Sequence, residues 1–234
     1  MCSGLLHEVF YKTDGCNFFI QYKRSNLISR RHCNNEYDHW GSSYLRFSIF
    51  YTCKKSPDGK DFTQFDKLRE LSALGYSTYY VTNHVIDKTE LFELARSQRL
   101  LEEIPFLNVA DIDGRHHHVT FTKDSEYFML HSKPVEAKVS KWNSVIDKLK
   151  LANESKKVSK LEKDIEKLRD FIVAYEESLE LTGEISFRKD FKKLNDKLNS
   201  LNSPRQLSYL FKTGLIANYL KQYFNVDWYR FCTN

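Results

Sequence analysis

Over its first 134 residues the chain alternates between two apolar rhythms, one of period two and one of period three to four. Residues 5–11 (Leu-Leu-His-Glu-Val-Phe-Tyr) predict a strand, Lys12-Thr13-Asp14-Gly15 a tight turn, and residues 17–24 a returning strand. Asp-Gly between two apolar runs is a hairpin signal, because both residues tolerate the backbone such turns need. A polar linker over 25–43 leads to a third strand, 44–51. Ser56-Pro57-Asp58-Gly59 predicts a turn and 61–74 a helix, with Phe62, Phe65, Leu68, Leu71 and Leu74 as its buried stripe. Gly75 falls where a left-handed cap would end that helix. Thr78-Tyr-Tyr-Val81 is apolar on both faces, as a central strand should be. A second helix, about 87–101, opens on the capping-box pattern Asp87-x-x-Glu90, and 117–130 predicts paired strands.

From residue 135 the pattern becomes helical. Residues 135–203 hold fifteen basic and thirteen acidic side chains and a single glycine. Val158, Leu161, Ile165, Leu168, Ile172 and Tyr175 recur at spacings of three and four, and Phe191, Leu194, Leu198 and Leu201 resume them after Gly183. That spacing predicts an antiparallel helical hairpin or a short coiled coil, self-paired or joining two copies or a partner protein. Ser203-Pro204 supplies a cap and a first-turn proline for a last helix, 205–224, whose apolar face is broad. The expected organisation is an α/β domain over 1–134 and an α-helical extension over 135–234.

Composition narrows the function. With 41% hydrophobic and 15% aromatic residues the chain has enough apolar surface for a packed core. The net charge of +5 is unevenly placed, with nine Lys/Arg against five Asp/Glu over 1–60 and eight against twelve over 61–134. A basic opening followed by an acidic segment suits a local anion site. Five cysteines form no Cys-x-x-Cys pair, and their odd number argues for a reduced, cytoplasmic setting. No apolar run is long enough to span a membrane, and no secretory leader pattern opens the chain. The Walker spacing is missing around Gly59-Lys60, so nucleotide hydrolysis has no support.

The chemistry-bearing stretch is Phe18-Phe-Ile-Gln-Tyr-Lys-Arg24. On a strand Phe19, Gln21 and Lys23 share a face, with Gln21 and Lys23 about 7 Å apart. An amide and an ammonium side by side on a core strand need partners. With Glu8 upstream and Asp14 between, this arrangement resembles the PD-(D/E)xK nuclease superfamily, in the variant where Gln replaces the second acid. The longer pattern, with Leu-Leu-His-Glu-Val, Trp40, Tyr44-Leu-Arg-Phe, Gln64, Leu68 and Val109-Ala-Asp-Ile112, is similar to bacterial nuclease-like proteins over residues 5–134. The resemblance implies a restriction-endonuclease-like mixed sheet flanked by helices. It further implies Mg²⁺- or Mn²⁺-dependent cutting of nucleic acid, DNA before RNA, in defence against phage. Glu8, with Asp14 as the alternative acid, and Gln21 would hold the cation; Lys23 would be the catalytic lysine. The sequence departs from the superfamily in having only four residues before Leu5, where a helix is usual.

Plainer readings stand beside these. Lys23 could snorkel from a strand end with its head in water. A scaffold without catalysis, acting through its helices, would need none of this chemistry. Arg24, Arg30, Arg31 and Arg46, with Trp40 and Tyr44 to stack bases, form a candidate nucleic-acid surface or a solvated loop. His116-His117-His118 suggests zinc, but alternation splits the three between two faces and no cysteine is near, so an edge strand is expected.

Overall fold

A computed structural model describes residues 14–29, 34–49, 52–55, 61–113, 116–131, 134–154, 159–178, 186–232. The fold is mixed α/β. It divides into two compact units interleaved along the chain, one built from 19–52 and 63–148, the other from residues up to 18, 53–62 and 149 onward. The predicted strand 5–11, with Glu8, lies outside the described residues.

The first unit contains two sheets. One orders strand β1 (Asp14–Lys23), from Phe19 on, next to β6 (Ser77–Thr82) and then β7 (Phe106–Asn108). Every residue of β6 from Thr78 to Thr82 is buried, as its two-faced apolar sequence requires. The other sheet is antiparallel, in the order β10 (Val135–Lys138), β9 (Tyr127–His131), β8 (His118–Phe121), β3 (Tyr44–Ser48), β2 (Asn26–Ile28). β8 is therefore an interior strand, and the expected edge strand at 116–118 is overturned. β10 follows the expected boundary at 134 and pairs with β9 throughout. Alternation sends Leu45, Phe47, Val119, Phe121, Phe128 and Leu130 into the core. There Phe47 meets Tyr80 of the other sheet at 6.2 Å between ring centroids, and Phe121 meets Phe128 at 5.2 Å.

Helix α1 (Asn34–Trp40) and strand β2 occupy what reads as a polar linker. At seven and three residues both are too short for periodicity to reveal. Short strands β4 (Thr52–Lys55) and β5 (Asp61–Thr63) pair with each other, so the expected helix 61–74 begins only at Gln64. This helix, α2 (Gln64–Ala73), buries Phe65, Leu68 and Leu71 and ends as expected. Gly75 has φ +91, its N–H donates to Ser72 O at 2.9 Å, and Tyr76 N donates to Leu71 O at 3.3 Å, the two bonds of a Schellman cap. Helix α3 (Lys88–Arg96) is capped by Asp87, whose carboxylate accepts from Glu90 N at 3.0 Å. It stops short of 101 because Gln98 turns left-handed, and the single turn α4 (Leu100–Glu103) follows.

In the second unit the first residues of β1 pair with β11 (Ser159–Lys160), and β12 (Asp227–Phe231) pairs with β1 as well. Asp14 and Gly15 are thus strand, not turn. Glycine stands there because a Cβ would lie 2.8 Å from Phe231 O and 2.9 Å from Cys232 Sγ. Helix α5 (Trp142–Glu154) begins in the first unit and ends in the second. The predicted hairpin forms as α6 (Leu161–Ser178) and α7 (Phe187–Ser200), but both also pack on α8 (Arg205–Phe224), making a three-helix cluster. Pro204, not Ser203, precedes α8. The second half of α8 buries Ile216, Tyr219, Leu220 and Phe224, while Leu207, Leu210 and Phe211 nearer its start stay exposed. Among the described residues no helix is long and apolar enough to cross a membrane.

Candidate functional site

The strand end that the sequence singles out is built as alternation demands. Phe19, Gln21 and Lys23 are all buried, Gln21 fully, while Tyr22 between them is half exposed. Lys23 is only 8% exposed, and its Nζ donates to Gln64 Oε1 at 3.3 Å and lies 5.2 Å from the centroid of the Tyr80 ring. The ammonium is held by an amide oxygen and an aromatic face, which is not the geometry of a lysine snorkelling into water. The chain beyond it is pinned. Ser25 N donates to Asn83 Oδ1 at 3.1 Å, the Ser25 and Thr82 hydroxyls share a hydrogen bond, and Asn83 Nδ2 donates to Val85 O at 3.3 Å. The ends of β1 and β6 form a wall of a cleft of about 430 Å³, lined by Lys23, Arg24, His84, Val85, Leu91 and Ile104 among others. Arg24 is exposed at its mouth.

Asp14 does not join this group. It lies seven residues up the same strand, roughly 23 Å from Gln21 at strand rise, so the two cannot share one ion. An unbroken strand from Asp14 to Lys23, where a turn is expected from the sequence, keeps them apart. Glu8, Arg30 and Arg31 lie outside the described residues.

A second constellation was not anticipated. α1 lies against the polar face of the antiparallel sheet and brings Glu36 to His118 of β8 and His131 of β9. One ligand-type atom of each lies within 4.8 Å of those of the other two. The two histidines are register partners, and their rings stack at 4.8 Å between centroids and 14° between planes. Glu36, buried, accepts from Tyr44 OH at 2.7 Å and is hydrogen-bonded to His118 Nε2, and Arg46 Nη1 lies 3.8 Å from it. Arg46 Nη2 donates to His118 Nδ1 at 3.3 Å, which places the proton of the neutral ring on Nε2, towards Glu36. Trp40 Nε1 donates to Thr120 Oγ1 at 3.0 Å, leaving the threonine hydroxyl proton for His131 Nε2, 2.9 Å away. Trp40 also stacks on Tyr127 at 5.4 Å.

Electrostatics follow from these contacts. Burial pushes the Glu36 carboxyl up, but the Tyr44 and His118 hydrogen bonds and the charge of Arg46 outweigh it, and the carboxyl sits below its ordinary range. Burial holds His118 below the ordinary imidazole value, against the pull of Glu36. Burial does the same to His131, down to about 4. The cluster therefore presents one carboxylate and two neutral imidazoles. Tyr44 is 1% exposed with its hydroxyl committed to Glu36, so it stacks no base. Arg46 faces the cluster and keeps a third of its side chain exposed.

His118 belongs to the histidine run that the sequence assigns to an edge strand. His116 is instead buried, with Nε2 2.6 Å from Asp113 O, and His117 is exposed. The signal was in the hairpin itself: a turn centred on 123–125 sets 118 opposite 131. Nothing comparable pointed to Glu36. No family model, curated protein or solved structure matches the chain.

Proposed function

We propose that the chain is a metal-dependent nuclease of the PD-(D/E)xK kind, hydrolysing phosphodiester bonds of DNA at the end of β1. The observation that supports this reading is Lys23. A desolvated ammonium beside a buried amide is an expensive arrangement for a strand end, and it opens onto a cleft with a second cation, Arg24, at its mouth. In this reading Arg24 draws the phosphodiester to the cleft, and Lys23 orients the attacking water and offsets charge on the phosphorane. Gln64 and the Tyr80 ring hold the Lys23 head in place. Gln21 offers one neutral oxygen to a cation, and Glu8 would have to supply the carboxylate that a hard cation requires. When bound, Mg²⁺ would polarise the phosphate and lower the pKa of its water.

The test is cleavage of plasmid DNA by the full chain with Mg²⁺ or Mn²⁺. Lys23→Ala should reduce the rate by about a thousandfold or more in a chain that circular dichroism shows to be folded. Gln21→Glu should keep activity and tighten metal binding. Cleavage that survives Lys23→Ala, or no cleavage by the unmodified chain, would end the proposal.

A further inference from the structure

We propose that Glu36, His118 and His131 form a binding site for a divalent transition metal, with Zn²⁺ the best match. This does not depend on the reading of β1.

Donor chemistry comes first. One carboxylate oxygen and two imidazole nitrogens suit Zn²⁺ and its first-row neighbours, whereas Mg²⁺ prefers oxygen throughout. Ligand atoms around a tetrahedral zinc lie about 3.3–3.5 Å apart, from bonds of about 2.0–2.2 Å. The present spread, within 4.8 Å, asks only for side-chain contraction. Three different elements supply the ligands. The backbones of β8 and β9 are locked in register, and α1 is too short to be stable by itself. One outer partner is already in place, Tyr44 on Glu36.

The structure also shows what must move. Stacked rings have parallel lone pairs, so His131 or His118 has to turn about χ2, a soft torsion, for both nitrogens to face one ion. A cation on His118 Nε2 displaces its proton to Nδ1, where Arg46 now donates. Arg46 must then release the ring and swing out, as a side chain one-third exposed can do. Arg46 is thus a competitor of the metal: it fixes the wrong tautomer and adds a positive charge beside the site. Three protein ligands leave a fourth position for water or a substrate atom.

The experiment is a titration of the chelator-stripped full chain with Zn²⁺ against a chromophoric competitor, together with the absorption spectrum of the Co²⁺ form. One equivalent should bind, and the Co²⁺ form should show visible bands without a thiolate charge-transfer band. Glu36→Gln and His131→Ala should each weaken zinc by about a hundredfold or more, and His117→Ala should leave it unchanged. Arg46→Ala should tighten it by about tenfold, which a merely structural arginine would not do. Failure of the unmodified chain to bind would overturn the assignment, as would a thiolate band, weaker binding in Arg46→Ala, or binding indifferent to Glu36→Gln. The Co²⁺ spectrum needs no variant, so a poorly folded His131→Ala cannot shelter the idea.

Discussion

Replacing Glu176 by glutamine should destabilise the helical cluster by about 1–4 kcal/mol. The carboxylate is 5% exposed and joins three helices. From α6 it accepts from Ser186 Oγ at 3.2 Å, Phe187 N at 2.5 Å and Arg188 N at 3.1 Å at the start of α7, and from Tyr223 OH of α8 at 2.9 Å. It does the work of the missing cap, since Ser186 makes no capping bond with its own side chain. Glutamine keeps one oxygen, enough for Phe187 and Tyr223, which both bond to Oε1. Its amide nitrogen then takes the place of Oε2, facing Ser186 and Arg188 N. The hydroxyl can turn and accept, but the backbone N–H cannot, and an orphaned donor costs about 1–3 kcal/mol. Losing a negative charge at a helix N-terminus adds about 0.3–1 kcal/mol. Urea unfolding followed by circular dichroism should show a midpoint lower by about 1 M, taking a slope of about 2–3 kcal/mol per M. Ser186→Ala, which removes one donor and leaves the carboxylate, should cost about 1 kcal/mol or less. A Glu176→Gln midpoint within error of the unmodified protein would refute the reasoning.

Three further outcomes are expected. Leu168 is fully buried in α6, so Leu168→Asp should lower the melting temperature of a monomeric chain and cost about 4 kcal/mol or more; loss of a dimer with unchanged chain stability would contradict it. Gly75→Ala meets no neighbour but forces alanine to φ +91, so about 1–2 kcal/mol should be lost in thermal unfolding. Burial, and then Lys141, hold the folded-state pKa of His84 below its ordinary value, with Lys123 adding and Glu103 and Glu90 opposing. The unfolded chain therefore binds more protons as pH falls through about 6.5, and stability present above that value is lost below it. His84→Leu should reduce the stability difference measured between pH 7.5 and pH 5, and an unchanged difference would exclude His84 as a contributor.

What the sequence discloses is local. Gly75 was readable because a Schellman cap is written in five consecutive residues, and β6 because five buried residues in a row leave no polar face. The Gln21 and Lys23 side chains point inward as alternation requires. What escaped is set by partners distant in the chain. Gly15 reads as a turn glycine, but it is needed for the close approach of Phe231, more than two hundred residues on. Glu36 sits in a stretch too polar to predict a helix and meets a histidine 82 positions away. α3 buries none of its residues, so its capping signal marked its start while nothing in its pattern could fix its end.

The two proposed centres make different demands on a chelator experiment. EDTA removes Mg²⁺ and Zn²⁺ alike, so cleavage lost in EDTA would not say which group of residues holds the relevant ion. Donor type separates them. Oxygen ligands near β1 would bind Mg²⁺ weakly and be replenished by added Mg²⁺, whereas two imidazoles and a carboxylate hold zinc tightly against millimolar Mg²⁺. Activity that returns with Mg²⁺ alone, in protein shown to be zinc-free, would place the chemistry at Lys23 and leave the histidine cluster a fastening between α1 and the sheet. Activity that returns only with zinc, and is lost in Glu36→Gln but not in Lys23→Ala, would move the reaction to the face where Arg46 stands and remove β1 from the mechanism.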